Sequence, residues 1–202
     1  MKIKVCGMKD PGNIKEVSQL PIDYMGFIFY ERSPRYVGEV NPEVLAQIPA
    51  SIQKIGVFVD EDLGKVQSTA LLYQLSFVQL HGDESPEYCR ELRQNELKVI
   101  KAFSISASSF GMIRKEYEAS CDLFLFDTQT PLRGGSGEKF DWEVLRSYKG
   151  KTPFFLSGGI APDDKERIRQ FQHPSFYGID LNSRFEIEPG KKNIQKLKQL
   201  IQ

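Results

Sequence analysis

The 202-residue chain has little of what several common chemistries require. Histidine occurs twice, at His81 and His173, too rarely for a His-rich metal centre. The three cysteines, Cys6, Cys89 and Cys121, are an odd and widely spaced set with no CxxC pair. That pattern excludes a disulfide framework and a structural zinc site. No stretch approaches the ~18 apolar residues of a membrane span. The opening Met1-Lys2-Ile3-Lys4-Val5-Cys6-Gly7 carries charge inside its apolar run and lacks the apolar core of a signal peptide. Net charge is absent too: Lys plus Arg and Asp plus Glu each number 27. No global field then draws the chain to nucleic acid or to an acidic membrane. A negatively charged ligand has to be held locally. Nucleotide fingerprints are missing as well. Gly134-Gly135-Ser136-Gly137-Glu138-Lys139 lacks the glycine, lysine, hydroxyl order of a Walker loop, and no third glycine completes a dinucleotide motif. These absences describe a cytoplasmic protein with no resident cofactor or metal.

What is present is ordinary globular composition, 40% hydrophobic and 27% charged, in a regular alternation. Short apolar runs occur at 3–6, 24–30, 55–60, 77–81, 99–103, 123–127, 154–157 and 177–181. Each is rich in Val, Ile or Phe, as strands covered on both faces are. Between them lie helix candidates with recognisable starts. Asp10 precedes Pro11, Asn41 precedes Pro42, Ser85 precedes Pro86 and Ala161 precedes Pro162, pairing a cap position with proline at the first helical position. Asp141 is placed to cap Trp142–Tyr148. Eight strand–helix units predict a parallel sheet closed into a (β/α)8 TIM barrel, a compact α/β single domain over residues 1–202. At this length, near the floor for such barrels, several helices have to be short and no loop can hold a second domain.

Active sites of these barrels lie at the carboxyl ends of the strands. Here the strands end in Cys6-Gly7, Phe29-Tyr30, Asp60, His81-Gly82, Phe103-Ser104, Asp127-Thr128, Gly158-Gly159 and Asn182-Ser183. Side-chain alternation places Cys6 with Lys4, His81 with Gln79, and Asp180 with Asn182, each opposite apolar partners. Asp127 likewise alternates away from Phe124 and Phe126. Cys6 reads either as a small buried hydrophobe or as a thiol open to a ligand, able to serve as nucleophile or general base. Asp127, following four apolar residues, is costly to bury unless paired or used. His81 reads as a packing residue or a ligand contact. Gly158-Gly159 follows strand 7 directly, and with Asn182-Ser183 it occupies the usual place of a phosphate site built from backbone N–H groups. The Gly134–Lys139 segment is read as a loop able to fold over a ligand.

These residues carry a resemblance. Lys4-Val5-Cys6-Gly7, Gly26-Phe27-Ile28-Phe29-Tyr30, Ser33-Pro34-Arg35-Tyr36-Val37, Gln79-Leu80-His81-Gly82-Asp83-Glu84 and Phe126-Asp127-Thr128 resemble, in order, segments of the phosphoribosylanthranilate isomerase family of tryptophan biosynthesis. Gly134-Gly135-Ser136-Gly137 with Phe140-Asp141-Trp142, Ser157-Gly158-Gly159 and Pro189-Gly190-Lys191-Lys192 extend it over the whole chain. The resemblance implies an Amadori rearrangement of N-(5-phosphoribosyl)anthranilate, with Cys6 as general base and Asp127 as general acid. It implies that Arg35 meets the anthranilate carboxylate and that phosphate sits on amides around Gly158, Gly159 and Ser183. His81, Gly135, Ser136, Asp180 and Asn182 complete the expected substrate contacts. Burial is expected to raise the Asp127 pKa, and local positive charge to lower that of Cys6. Arg184 and Ser157 depart from the family's usual small residues. The partner implied is a small-molecule substrate, bound by a monomer or homodimer. The alternatives are a pentulose-phosphate epimerase-like enzyme and a non-catalytic sugar-phosphate-binding barrel.

Overall fold

Alternating apolar runs and proline-started helices close into an eight-stranded parallel barrel, β1 to β8 in sequence order, in the computed structural model. The structure describes residues 1–105, 115–128 and 142–202. The strands are β1 (Lys2–Val5), β2 (Tyr24–Ile28), β3 (Gln53–Phe58), β4 (Phe77–Leu80), β5 (Lys98–Ile105), β6 (Leu123–Thr128), β7 (Phe154–Leu156) and β8 (Phe176–Leu181). β1 pairs with both β2 and β8, which closes the ring.

The connecting helices begin where their caps dictate. In α1 (Pro11–Val17) the Asp10 carboxylate accepts from the Asn13 N–H, and in α2 (Pro42–Ala46) the Asn41 side chain accepts from Glu43. The cap of α3 (Leu63–Tyr73) is Asp62, and that of α4 (Pro86–Gln94) is Ser85. Each such cap satisfies an otherwise orphaned backbone donor. The second half is less helical than the alternation predicts. Lys115–Tyr117 and Trp142–Ser147 are 3-10 turns, and the expected cap of the latter, Asp141, lies outside the described residues. Pro162 also opens a 3-10 turn, Pro162–Asp164, in which the Asp164 carboxylate accepts from the Ala161 N–H before α5 (Lys165–Gln170) begins. After β8 the chain makes a two-stranded hairpin, β9 (Glu186–Glu188) and β10 (Lys191–Lys192), then α6 (Ile194–Ile201).

Two apolar layers sort the strand faces. Tyr24, Ile55, Phe77, Ile100, Ala102, Leu123, Leu125 and Phe155 form one cluster inside the barrel. Val5, Met25, Phe27, Val78, Leu80, Phe124, Phe126, Ile179 and Leu181 belong to the layer between barrel and helices. In β8 the pairing slips, so that Phe154 faces Phe176 but Phe155 faces Gly178. This bulge brings Gly178 and Asp180 onto the interior face. Gly178 has to lack a side chain, because a Cβ there would sit 2.2 Å from the Lys2 carbonyl oxygen. On β1 the interior positions are polar: Lys4, fully buried, reaches the Asp180 carboxylate at 2.9 Å.

Candidate active site

The layer sorting puts Cys6, His81, Asp127 and Asp180 on the axis side of β1, β4, β6 and β8 or of the residues just beyond them, since their neighbours Val5, Leu80, Phe126, Ile179 and Leu181 all pack outward. Two glycines clear the end of β1. A Cβ on Gly26 would lie 2.7 Å from the Cys6 sulfur. Gly7 has φ +74°, and a Cβ there would lie 2.8 Å from both the Arg35 Cδ and the Asn182 Oδ1. Gly7 therefore lets the loops after β2 and β8 close down beside the thiol. Burial pushes the Cys6 thiol above its usual pKa; the charge of Lys4 and that of Lys192 pull it back, while Asp180 opposes them. The expectation of a thiol lowered by positive charge is overturned: Lys4 and Lys192 pull in that direction, but desolvation outweighs them.

On the other side of the ring, the His81 Nε2 lies 3.7 Å from the Asp127 Oδ2, with both side chains about 15% exposed. That separation is longer than a hydrogen bond. The buried Gln79 amide lies 3.2 Å from the His81 Nδ1. With Gln79 Nε2 as donor there, the ring proton sits on Nε2, toward the carboxylate. The loop bearing His81 is clamped from behind. Glu84, nearly buried, accepts from the backbone N–H of Asp60 and Gly82 and pairs with Lys101 at 3.1 Å. Lys101 also donates to the carbonyls of Leu80 and Gly82.

The third group joins the loops after β2 and β8. Arg35 donates to Glu186 through both Nε and Nη2, at 2.9 and 2.7 Å. Lys192, fully buried, donates to the Glu186 Oε1 and the Asn182 Oδ1, each at 2.7 Å. Burial brings the Lys192 pKa down to about 8, partly offset by Glu186. For Glu186 burial works upward, but Arg35 and Lys192 hold its carboxyl below the usual range. The carboxylate that Arg35 meets in this structure is Glu186 of the protein itself.

Gly158 and Gly159 follow β7 with φ of +85° and +68°, consecutive left-handed positions that suit glycine. Ser157 points its hydroxyl at the Asp180 Oδ2, 3.4 Å away. Asn182 and Ser183 begin a 3-10 turn, Ser183–Phe185. Gly135 and Ser136 lie outside the described residues. The structure therefore gathers Cys6, Arg35, Asp180, Asn182 and Ser183 at the β8–β1–β2 side and His81 with Asp127 at the β4 and β6 ends. Sequence reasoning missed Glu186 and Lys192 as site residues. Lys192 lies in the quoted Pro189–Lys192 segment, whereas nothing local marks Glu186, whose partner is 151 residues away.

Comparison with known proteins identifies the family to which this barrel belongs. The family model described as N-(5'phosphoribosyl)anthranilate (PRA) isomerase matches residues 3–202. The N-(5'-phosphoribosyl)anthranilate isomerase of Parabacteroides distasonis is 51% identical over 100% of this chain and 92% of its own. That of Phocaeicola vulgatus is 46% identical over the whole of both chains. The phosphoribosyl anthranilate isomerase structure from Thermotoga maritima aligns with a TM-score of 0.83 at 32% identity, covering 100% of this chain and 97% of that one. A phosphoribosyl anthranilate isomerase solved with reduced 1-(o-carboxyphenylamino)-1-deoxyribulose 5-phosphate aligns with a TM-score of 0.81 at 29% identity, covering 100% and 96%. With its sequence matched from end to end and its barrel shared with solved members, the chain belongs to the N-(5'-phosphoribosyl)anthranilate isomerase family.

Proposed function

We propose that the protein isomerises N-(5-phosphoribosyl)anthranilate to 1-(2-carboxyphenylamino)-1-deoxyribulose 5-phosphate in tryptophan biosynthesis. The observation that carries this reading is the placing of a thiol and a carboxyl at the axis-facing ends of two strands that are not neighbours, β1 and β6. Asp127 delivers a proton to the furanose oxygen, the ring C–O bond breaks, and the anilino nitrogen forms a Schiff base with C1. Cys6 as thiolate takes the proton from C2, and the electron pair flows into the C1–C2 bond as the Schiff base becomes an enolamine. Protonation at C1 and loss of the hydroxyl proton give the ketone. The positive charge of the Schiff base adds to that of Lys4 and Lys192 when the thiolate is needed. His81 stands beside Asp127, at 3.7 Å from its carboxyl.

Arg35 takes the anthranilate carboxylate, because a planar guanidinium fits it with parallel hydrogen bonds. Phosphate rests on the amides of Gly158, Gly159 and Ser183, with Asn182 and Asp180 toward the sugar hydroxyls and Gly135 and Ser136 closing over the ligand. Residues 1–202 act as one domain, in the cytoplasm, as a monomer or homodimer, with no cofactor. No helix among the described residues is long and apolar enough to cross a membrane. The deciding experiment is loss of phosphoribosylanthranilate fluorescence on adding purified protein. Steady turnover abolished by replacing Cys6 supports the reading, and no turnover by the folded protein removes it.

A further inference from the structure

The Arg35 site contains one carboxylate too many for a simple substrate clamp. Glu186 already holds the guanidinium along the edge formed by Nε and Nη2. A guanidinium has five N–H donors in one plane, so this leaves the opposite edge, Nη1 and the outer N–H of Nη2, for a second carboxylate. The charges allow it. Arg35 and Lys192 carry two positive charges against one negative charge on Glu186, so the trio retains one positive charge. The anchoring is rigid as well. Glu186 also accepts from the Gly190 N–H, and the Lys192 backbone is held at both its N–H and C=O by the buried Asn13 side chain. The Arg35 stem lies against Gly7, next to Cys6.

We infer that Glu186 is a positioning residue for carboxylate recognition, holding Arg35 by one edge so that the other edge meets the anthranilate carboxylate beside Cys6. This rests on the reading of Arg35 given above. Glu186 does not compete with the substrate; it fixes the plane in which the guanidinium waits, and Lys192 keeps that fixing from cancelling the charge. Preorganisation of this kind appears in binding of the carboxylate and not in the chemical step.

The test compares Glu186→Gln, Glu186→Asp and Arg35→Met on two substrates: phosphoribosylanthranilate and the same glycosylamine made with aniline, which lacks the carboxylate. Gln keeps the shape but turns an amide donor toward an arginine donor, breaking one prong of the fork. For Glu186→Gln the KM for phosphoribosylanthranilate should rise about tenfold or more, the loss of a charge-assisted hydrogen bond, with kcat nearly kept. The KM for the aniline analogue should not change, and Glu186→Asp should recover part of the loss. Tighter binding of phosphoribosylanthranilate by Glu186→Gln would mean that Glu186 competes with the substrate, and the inference falls. Equal losses on both substrates, or a loss confined to kcat, would reduce Glu186 to a general support and overturn it too. If Arg35→Met discriminates between the two substrates no differently from the parent, the assignment of Arg35 itself fails. If only the Glu186 variants behave like the parent, Arg35 stands and the positioning role is wrong.

Discussion

Proton transfer is decided at single atoms, and Asp127 and Lys192 give the sharpest expectations. Asp127→Asn keeps the shape of the side chain and removes the proton proposed to open the furanose. Because a positioned acid contributes roughly 10²–10⁴-fold, kcat should fall by that factor with KM nearly unchanged. Steady-state kinetics of the variant checks it, and near-parental turnover would remove Asp127 from the mechanism. Lys192 sets a limit at high pH. Its pKa, brought down to about 8 by burial, means that the ammonium is lost as pH rises through that value. Glu186 then neutralises Arg35 alone, so the trio no longer has a positive charge to offer. KM for phosphoribosylanthranilate should climb above about pH 8. The groups facing Lys192 are Glu186, Asn182, Cys6 and Arg35, and of these Cys6, pushed upward by burial, works in the opposite sense by gaining thiolate with pH. The sign for stability also differs: a lysine whose folded pKa lies below the ordinary 10.5 opposes folding fully below about pH 8 and less so as pH approaches its unfolded value. A KM that is flat from pH 7 to 9.5 would show that Lys192 does not feed the carboxylate site.

At the scale of elements, the seam between β1 and β8 joins the two ends of the chain, and a buried ion pair crosses it. Lys4 and Asp180 are 0% and 6% exposed and 2.9 Å apart. Removing one partner of such a pair leaves the other charge stranded, at a cost of about 3–5 kcal/mol. Lys4→Met should lose that much in denaturant unfolding, and Lys4→Met combined with Asp180→Asn should recover a good part of it. A single variant within about 1 kcal/mol of the parent would show that water already relieves the pair. Elements were also where the sequence was easiest to read. All eight strands were visible, because a parallel strand covered on both faces is a continuous apolar run, and the proline-led caps of α1, α2 and α4 were visible because one side chain does the capping. The bulge at β8 was not, since it depends on how Phe155 meets Gly178 across strands. Nor were the 3-10 turns at 115–117 and 142–147, where local pattern does not distinguish a tight turn from a short helix. The strand ends named Cys6, His81, Asp127 and Asp180 by alternation alone, whereas Glu186 is defined by partners from distant loops.

For the whole molecule, the barrel divides its labour between a packed interior and a rim of loops, and the two should fail separately. Leu125 sits in the interior cluster with no exposure. Leu125→Ala leaves a void that neighbouring strands cannot close, so it should cost about 2–5 kcal/mol of stability while the surviving folded protein keeps its KM. Gly158 is a rim residue whose φ of +85° suits no side chain well. Gly158→Ala should cost only about 1–2 kcal/mol of left-handed strain, yet it turns the amides on which the phosphate is proposed to rest. With equal numbers of acidic and basic residues, the molecule has no surplus positive field to replace them. Binding of substrate and of inorganic phosphate should therefore collapse in Gly158→Ala, while the loss of stability stays within about 1–2 kcal/mol. The two variants are measured side by side, by denaturant unfolding and by titration with inorganic phosphate. If Gly158→Ala binds phosphate normally, the Gly158-Gly159 turn serves only to lead β7 into α5, and the anion has to be sought elsewhere on the rim.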